Sequence, residues 1–428
     1  MTADVDNADF AATAAPLPKI SGLDLFISSL PFLFLPYDSL TYLLGFDLAS
    51  TAQTLPLTSL FSLPYLVLCA LRLRLTPAAR TIAGRLFICL VWMLALWALG
   101  FILTDPKDGE LMEDLRTVAG SRQALSFLLG FTSFLMFADA LVRGGQSHAM
   151  RMVLLGSVPN IVAILLQFFN GDFRVQGLSS EPSHLADYVV FAVIPALYLL
   201  YERRSYFLPS LGAATMLIGL TFSTTGYLKL VGFLFAKYGG LKRIWRGVFV
   251  FAFVAVGLAT LYFLFPDNYI SLTLRYMLYS YNATGELAGG SWVDRWNGFA
   301  GPITHVITSP SSWLGYGFGA DTIYFYKLFT PEVAREILAL KGDIPSISSM
   351  HGKLLLYLGP IGYALYLSTW WKAYRASPPG HIARALLPAV MLGSLFSLAP
   401  FHLPYVWFAM AMGAAALPAP VSGERGAG

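Results

Sequence analysis

The chain of 428 residues is 56% hydrophobic and 12% charged, with a mean hydropathy of +0.63, against roughly 45–50% and about 25% in soluble domains. These proportions exclude an ordinary soluble enzyme and imply a polytopic membrane protein. A formal charge of +4 gives no polyanion-binding surface and excludes nucleic acid as a partner; it reports where Lys and Arg sit along the chain.

Residues 1–21 are acidic and Ala-rich, with Lys19 as their only basic residue. They lack the basic start of a cleaved signal peptide and are read as a short cytoplasmic tail. Apolar runs near the length that crosses a bilayer, about 20 residues, then recur at 22–42, 54–71, 86–103, 123–142, 152–169, 185–201, 206–222, 226–236, 247–265, 352–371, 385–399 and 403–418. The class expected is therefore all-α, with about twelve transmembrane helices in one integral domain over 22–418 and a cytoplasmic tail over 419–428. Cys69 and Cys89 both fall inside apolar runs, where cysteine behaves as a small hydrophobe.

Basic residues fall mainly in alternate connections: Arg72, Arg74, Arg80 and Arg85, then Arg143 and Arg151, Arg203 and Arg204, Lys237, Lys242, Arg243 and Arg246, and Lys372, Arg375 and Arg384. Lys107, Arg116, Arg122, Arg174 and Lys229 are assigned to the opposite side. The excess of positive charge on cytoplasmic loops then places both termini in the cytoplasm. It also places residues 266–349 in one long loop on the outer face.

That loop is rich in aromatic residues and glycine rather than disordered in composition. Ser291 opens a helix-like run ending at Ser309-Pro310, and Pro331 to Lys341 has the spacing of an amphipathic interfacial helix. Gly315, Gly317 and Gly319 alternate, either as a nest of backbone N–H groups for an anion or as a tight turn returning the chain to the bilayer.

Polar chemistry gathers on the same face. Arg174, Gly177, Glu181, Pro182, Ser183 and His184 lie within eleven residues, and His351 and Lys353 stand at the mouth of the helix that follows the long loop. Ionisable groups at membrane depth are costly and are functional candidates by default. The alternatives are a satisfied interfacial histidine and a snorkelling lysine. A transporter would carry internal repeats and a site at the midplane. No repeat is evident, and these residues concentrate at one face.

In order along the chain, Arg174-x-x-Gly177 running into Glu181-Pro182-Ser183-His184, Arg295-Trp296 followed by Gly315-x-Gly317-x-Gly319, and His351 followed by Gly362 resemble the Wzy-type O-antigen and exopolysaccharide polymerases and the related O-antigen ligases. Gly352 and Leu365 depart from the ligase form of the third motif. The resemblance implies a GT-C-like fold in the bacterial inner membrane. It also implies a glycosyltransferase that joins undecaprenyl-diphosphate-linked repeat units at the periplasmic face. Donor and acceptor are then both lipid-linked, and a chain-length regulator and a flippase are partners; a ligase or oligosaccharyltransferase moving the glycan to lipid A core or protein is the alternative.

Displacement at the anomeric carbon leaves a diphosphate, whose charge arginine binds bidentately. No Asp-x-Asp metal motif is present, so the site is expected to use no metal or other cofactor. Arg174 and Arg295, with Lys353, are assigned to the diphosphate. His351 or Glu181 takes the acceptor's proton, with His184, Arg275 and Tyr281 as further contacts around the acceptor.

Overall fold

The computed structural model describes residues 22–37, 56–69, 72–102, 109–170, 175–179, 181–221, 223–238, 291–322, 347–397 and 401–416, with isolated positions at 263, 272, 275, 276, 278, 279, 282 and 324. Among the described residues every regular element is helical. The helices are α1 (Gly22–Leu33), α2 (Leu57–Cys69), α3 (Pro77–Ile102), α4 (Gly109–Gly144), α5 (Gln146–Phe169) and α6 (Pro182–Tyr201). They continue with α7 (Phe207–Leu220), α8 (Thr224–Tyr238), α9 (Ser291–Thr308), α10 (Met350–Ala376), α11 (Ala383–Phe396) and α12 (Pro404–Ala414).

A helix overlaps every expected apolar run except 247–265, which lies outside the described residues apart from 263. The helix-like run at Ser291 is α9, whereas Pro331 to Lys341 lies outside the described residues. Among the described residues four stretches, Pro77–Phe101, Thr117–Gly144, Gln146–Phe169 and Pro182–Tyr201, are long and apolar enough to cross a membrane. Lys229, assigned from charge placement to an outer connection, instead sits buried within α8.

Burial divides these helices into two kinds. The apolar windows of α4 and α6 are 72% and 78% buried, while those of α3 and α5 are each 28% buried, so the first pair is interior and the second peripheral. Phe87, Ile88, Val91 and Leu94 on α3, and Leu155, Val158, Val162 and Leu166 on α5, are exposed. Leaving one such side chain in water forfeits about 1.5–3 kcal/mol, so this face suits hydrocarbon as its solvent. Every residue of α12 is buried, as expected for a helix apolar on all sides. Cys69 and Cys89 are both buried and free.

One end of the bundle is tied by an ion cluster. Arg143 bonds Asp139 at 3.0 Å, Asp24 at 2.8 Å and the Arg72 carbonyl at 3.1 Å. Asp139 also accepts from the Tyr65 hydroxyl at 2.6 Å and the Arg74 N–H at 2.5 Å. At the same end Gln146 donates to the Ala415 carbonyl, and Thr76 to that of Ala414. The start of α1, the end of α2, the start of α3, the end of α4, the start of α5 and the end of α12 therefore meet. The residues singled out by motif lie toward the other end.

Candidate active site

The chain enters this region through a turn held by α5. Gln167 accepts from the N–H groups of Gln176 and Gly177 at 3.0 and 2.8 Å and donates to the Gly177 carbonyl at 3.0 Å. Asn160 accepts from the Leu178 N–H at 2.7 Å. Gly177 has φ +61, and a Cβ there would lie 1.9 Å from the Asn160 side-chain oxygen. The first motif's glycine is thus fixed by the turn. Arg174 lies outside the described residues.

Pro182, pre-set for a first helical position, opens α6 with Glu181 before it. The Glu181 carboxylate is exposed, does not cap the helix, and accepts from the Ser183 hydroxyl at 3.0 Å. His184 is half-buried, and its carbonyl accepts from Tyr405 of α12 at 3.4 Å. One turn further, Asp187 forms a buried ion pair with Lys229 of α8. A π-helical turn, Val189–Val193, follows, with the Ile194 N–H bonded to the Val189 carbonyl. Pro195, which cannot continue an α-helical hydrogen-bond ladder, accounts for the widening.

The second half of the region is built on α9, α10 and α11. Ser349 caps α10 by accepting from the Gly352 N–H at 3.0 Å, a contact typical of helix starts. A Cβ at Gly352 would lie 2.1 Å from the Gly298 carbonyl oxygen. Close passage of α9 over α10 therefore explains glycine where the ligase pattern has a side-chain amide or hydroxyl. Trp296 stacks on Phe396 of α11, with centroids 6.1 Å apart. Arg295, half-buried, lies within electrostatic range of Lys229.

His351 is 1% exposed, and both ring nitrogens are engaged. Ser394 donates to the Met391 carbonyl at 2.8 Å, so toward Nε2, 2.9 Å away, its oxygen accepts. Nε2 therefore carries the ring proton, and Nδ1 accepts from the Tyr363 hydroxyl at 2.6 Å. Twelve residues of unbroken helix would separate His351 and Tyr363 by about 18 Å. The contact exists because α10 breaks at Gly359, which has φ +63 and ψ 176.

At the break Pro360 has no N–H for the Leu356 carbonyl, and the Tyr357 carbonyl lies next to it. Both are taken by the glycine run: the Tyr316 N–H bonds the Leu356 oxygen at 2.9 Å and the Gly317 N–H bonds the Tyr357 oxygen at 3.1 Å. Gly315, Gly317 and Gly319 all have positive φ, and a Cβ at each would lie within 3 Å of the backbone of α10, α3 and α4 respectively. Of the two readings of this run, the geometry is that of the tight turn. The N–H groups of Tyr316 and Gly317 meet helix carbonyls.

Lys353 is buried 3.7 Å from Asp321. Asp321 also accepts from the Tyr357 hydroxyl at 2.5 Å and the Ile347 N–H at 3.4 Å. Arg122 of α4 is exposed within electrostatic range of Lys353. Lys229 lies against Gly393 of α11 and His351 bonds its neighbour Ser394. The structure thus links α6, α8, α10 and α11 through Asp187, Lys229, Ser394 and His351, and α9 to α11 through Trp296 and Phe396, while Lys353 faces Asp321 instead. Arg275 is described only as an isolated exposed position, and Tyr281 lies outside the described residues.

Sequence reasoning missed Asp187, Asp321, Tyr363 and Ser394 as partners, and misplaced Lys229. Single charges at 187 and 229 inside apolar runs were the available signal. Tyr363 and Ser394 had none, because a hydroxyl in an apolar helix is common. Comparison with models of protein families, with curated proteins and with solved structures finds no match.

Proposed function

We propose that this chain is a bacterial inner-membrane glycosyltransferase that polymerises undecaprenyl-diphosphate-linked oligosaccharide repeat units into O-antigen or exopolysaccharide at the periplasmic face, with both termini cytoplasmic. The observation that supports this reading is the convergence of three separate motifs. α6, opened by Pro182 after Glu181, is tied to α8 by the Asp187–Lys229 pair; Lys229 meets α11 at Gly393, next to the Ser394 that His351 of α10 bonds; and α9, which carries Arg295, stacks Trp296 on Phe396 of α11.

In this reaction the acceptor hydroxyl oxygen bonds the anomeric carbon of the donor. The bond from that carbon to the diphosphate breaks, and the electron pair leaves on undecaprenyl diphosphate. Arg295, assisted by Lys353, stabilises the departing charge; one such donor is typically worth about 10²–10³ in rate. Arg174, from the same motif as Glu181, is assigned to the diphosphate as well.

The hydroxyl proton has two routes. Glu181 takes it directly, its carboxylate being exposed and, among the described residues, bonded by Ser183. Alternatively Tyr363 accepts it while passing its own proton to Nδ1 of His351, which Ser394 holds in the receptive tautomer.

The test is polymerisation of a purified lipid-linked repeat unit by the full-length protein. Wild type is expected to give a ladder of products. R295A and H351A are expected to lose at least about 100-fold in yield at equal protein level. If both retain wild-type polymer length and yield, the assignment fails. Transfer to a lipid A core acceptor in place of chain growth would make the chain a ligase. In a deletion strain, single lipid-linked units exposed outward are the polymerase outcome, and units held inward would show a flippase.

A further inference from the structure

We infer that the end of the bundle remote from the candidate site holds a binding site for an anionic phospholipid headgroup, where α6 gives way to α7. A cavity of about 600 Å³ lies there, lined by Tyr198, Leu199, Leu200, Glu202, Arg203 and Arg204. Ligand sites occupy roughly 300–1,000 Å³.

The charges around it do not cancel. Glu202 is taken by Lys237 of α8 at 3.2 Å, and Lys237 also lies over the Tyr198 ring, 4.8 Å from its centroid. The Tyr198 and Tyr238 hydroxyls bond at 2.5 Å, which closes the inner wall. Arg203 and Arg204 are both exposed, and among the described residues neither has a carboxylate partner. Two guanidinium groups of one sign therefore stand at the mouth, suited to phosphate oxygens.

The other walls select a lipid over a free anion. Leu199 and Leu200, both half-buried, line the cavity next to the charged groups and give an acyl chain an apolar contact beside the headgroup. Beside the arginines the rings of Tyr201 and Tyr206 meet edge to face, 5.2 Å apart, and Tyr206 is exposed. Tyrosines gather at headgroup depth in membrane proteins, which sets the arginines at the level of lipid phosphates. The site is independent of the proposed glycosyl transfer.

Full-length protein in detergent, titrated with phosphatidylglycerol or with phosphatidylcholine of the same chains and read by native mass spectrometry, tests this. Wild type is expected to bind the anionic lipid more tightly. A juxtamembrane cation contributes about fivefold, so R203Q/R204Q is expected to lose roughly 25-fold, while R203K/R204K retains most of the preference. R151Q, at a basic position of the same end outside the cavity, is expected to bind as wild type does. A preference that survives R203Q/R204Q overturns the site. Competition by inorganic phosphate at the same concentration as the lipid overturns the lipid assignment in favour of a soluble anion.

Discussion

Gly315→Ala separates the two roles open to the glycine run, because its consequences can be worked from the backbone. The new Cβ would lie 2.3 Å from the Tyr357 oxygen and 2.5 Å from the Gly359 nitrogen. Both are main-chain atoms, so no side chain can rotate away and one segment must shift. A φ of +85 with ψ 178 lies in a region essentially confined to glycine and costs a residue bearing Cβ about 1–3 kcal/mol. The shift also breaks the bonds from Tyr316 and Gly317 to Leu356 and Tyr357. Each buried carbonyl left without a donor costs roughly 1–3 kcal/mol.

The total of roughly 3–9 kcal/mol compares with about 5–15 kcal/mol for a whole domain. Thermal unfolding of the full-length protein in detergent is expected to show an apparent Tm lowered by more than about 5 °C, with a reduced monodisperse yield. A variant that unfolds within about 2 °C of wild type but no longer polymerises would refute the reasoning. It would return the run to its other reading, a nest for an anion.

Asp187→Asn leaves Lys229 buried without its counter-ion, and unfolding is expected to cost about 3–5 kcal/mol. D187N/K229M is expected to recover most of that in the same melt, so an additive double variant would exclude coupling between the pair. His381 provides a pH test, since burial first and Lys237 second hold its pKa below the ordinary histidine value. Its Nδ1 accepts from the Ala383 N–H at 3.2 Å, and Nε2 faces the Gln146 side-chain oxygen at 2.9 Å, a pattern that suits the neutral ring. The unfolded chain takes up its proton first, so this contribution is complete above about pH 6.5 and declines as pH falls toward the lower folded pKa. Melts of wild type and H381Q between pH 7.5 and 5.5 check this: the variant is expected to lose part of the acid sensitivity, and parallel curves would remove His381 from the account.

Hydropathy located helices well and their ends poorly, for a physical reason. The run expected at 123–142 is the apolar part of α4, which spans Gly109–Gly144. Its first turns carry Glu110, Glu113, Asp114 and Arg116, residues that suit a helix but fall outside an apolar window. α10 similarly runs past 371 through Lys372 and Arg375 to Ala376. Charges within apolar runs were visible at Asp187 and Lys229, but their pairing was not, since it depends on how α6 and α8 pack. Gly359-Pro360 fell inside the single run expected at 352–371, although that dipeptide is a helix-breaking signal and the helix does break there. What the break serves, and what seals it, required the fold.

Once the break is placed, the second and third motifs become one device. His351 and Tyr363 meet only because α10 is interrupted at Gly359. That interruption is tolerable in the buried interior only if the carbonyls at the break find donors, and the donors are Tyr316 and Gly317. Gly359 is itself constrained by the same segment, since a Cβ there would lie 2.2 Å from the Trp313 carbonyl oxygen. A substitution in the glycine run therefore acts on the imidazole without touching it. Gly315→Ala should loosen the Tyr363–His351 contact together with the fold, whereas Tyr363→Phe should remove the contact and leave the seal on Leu356 and Tyr357 in place.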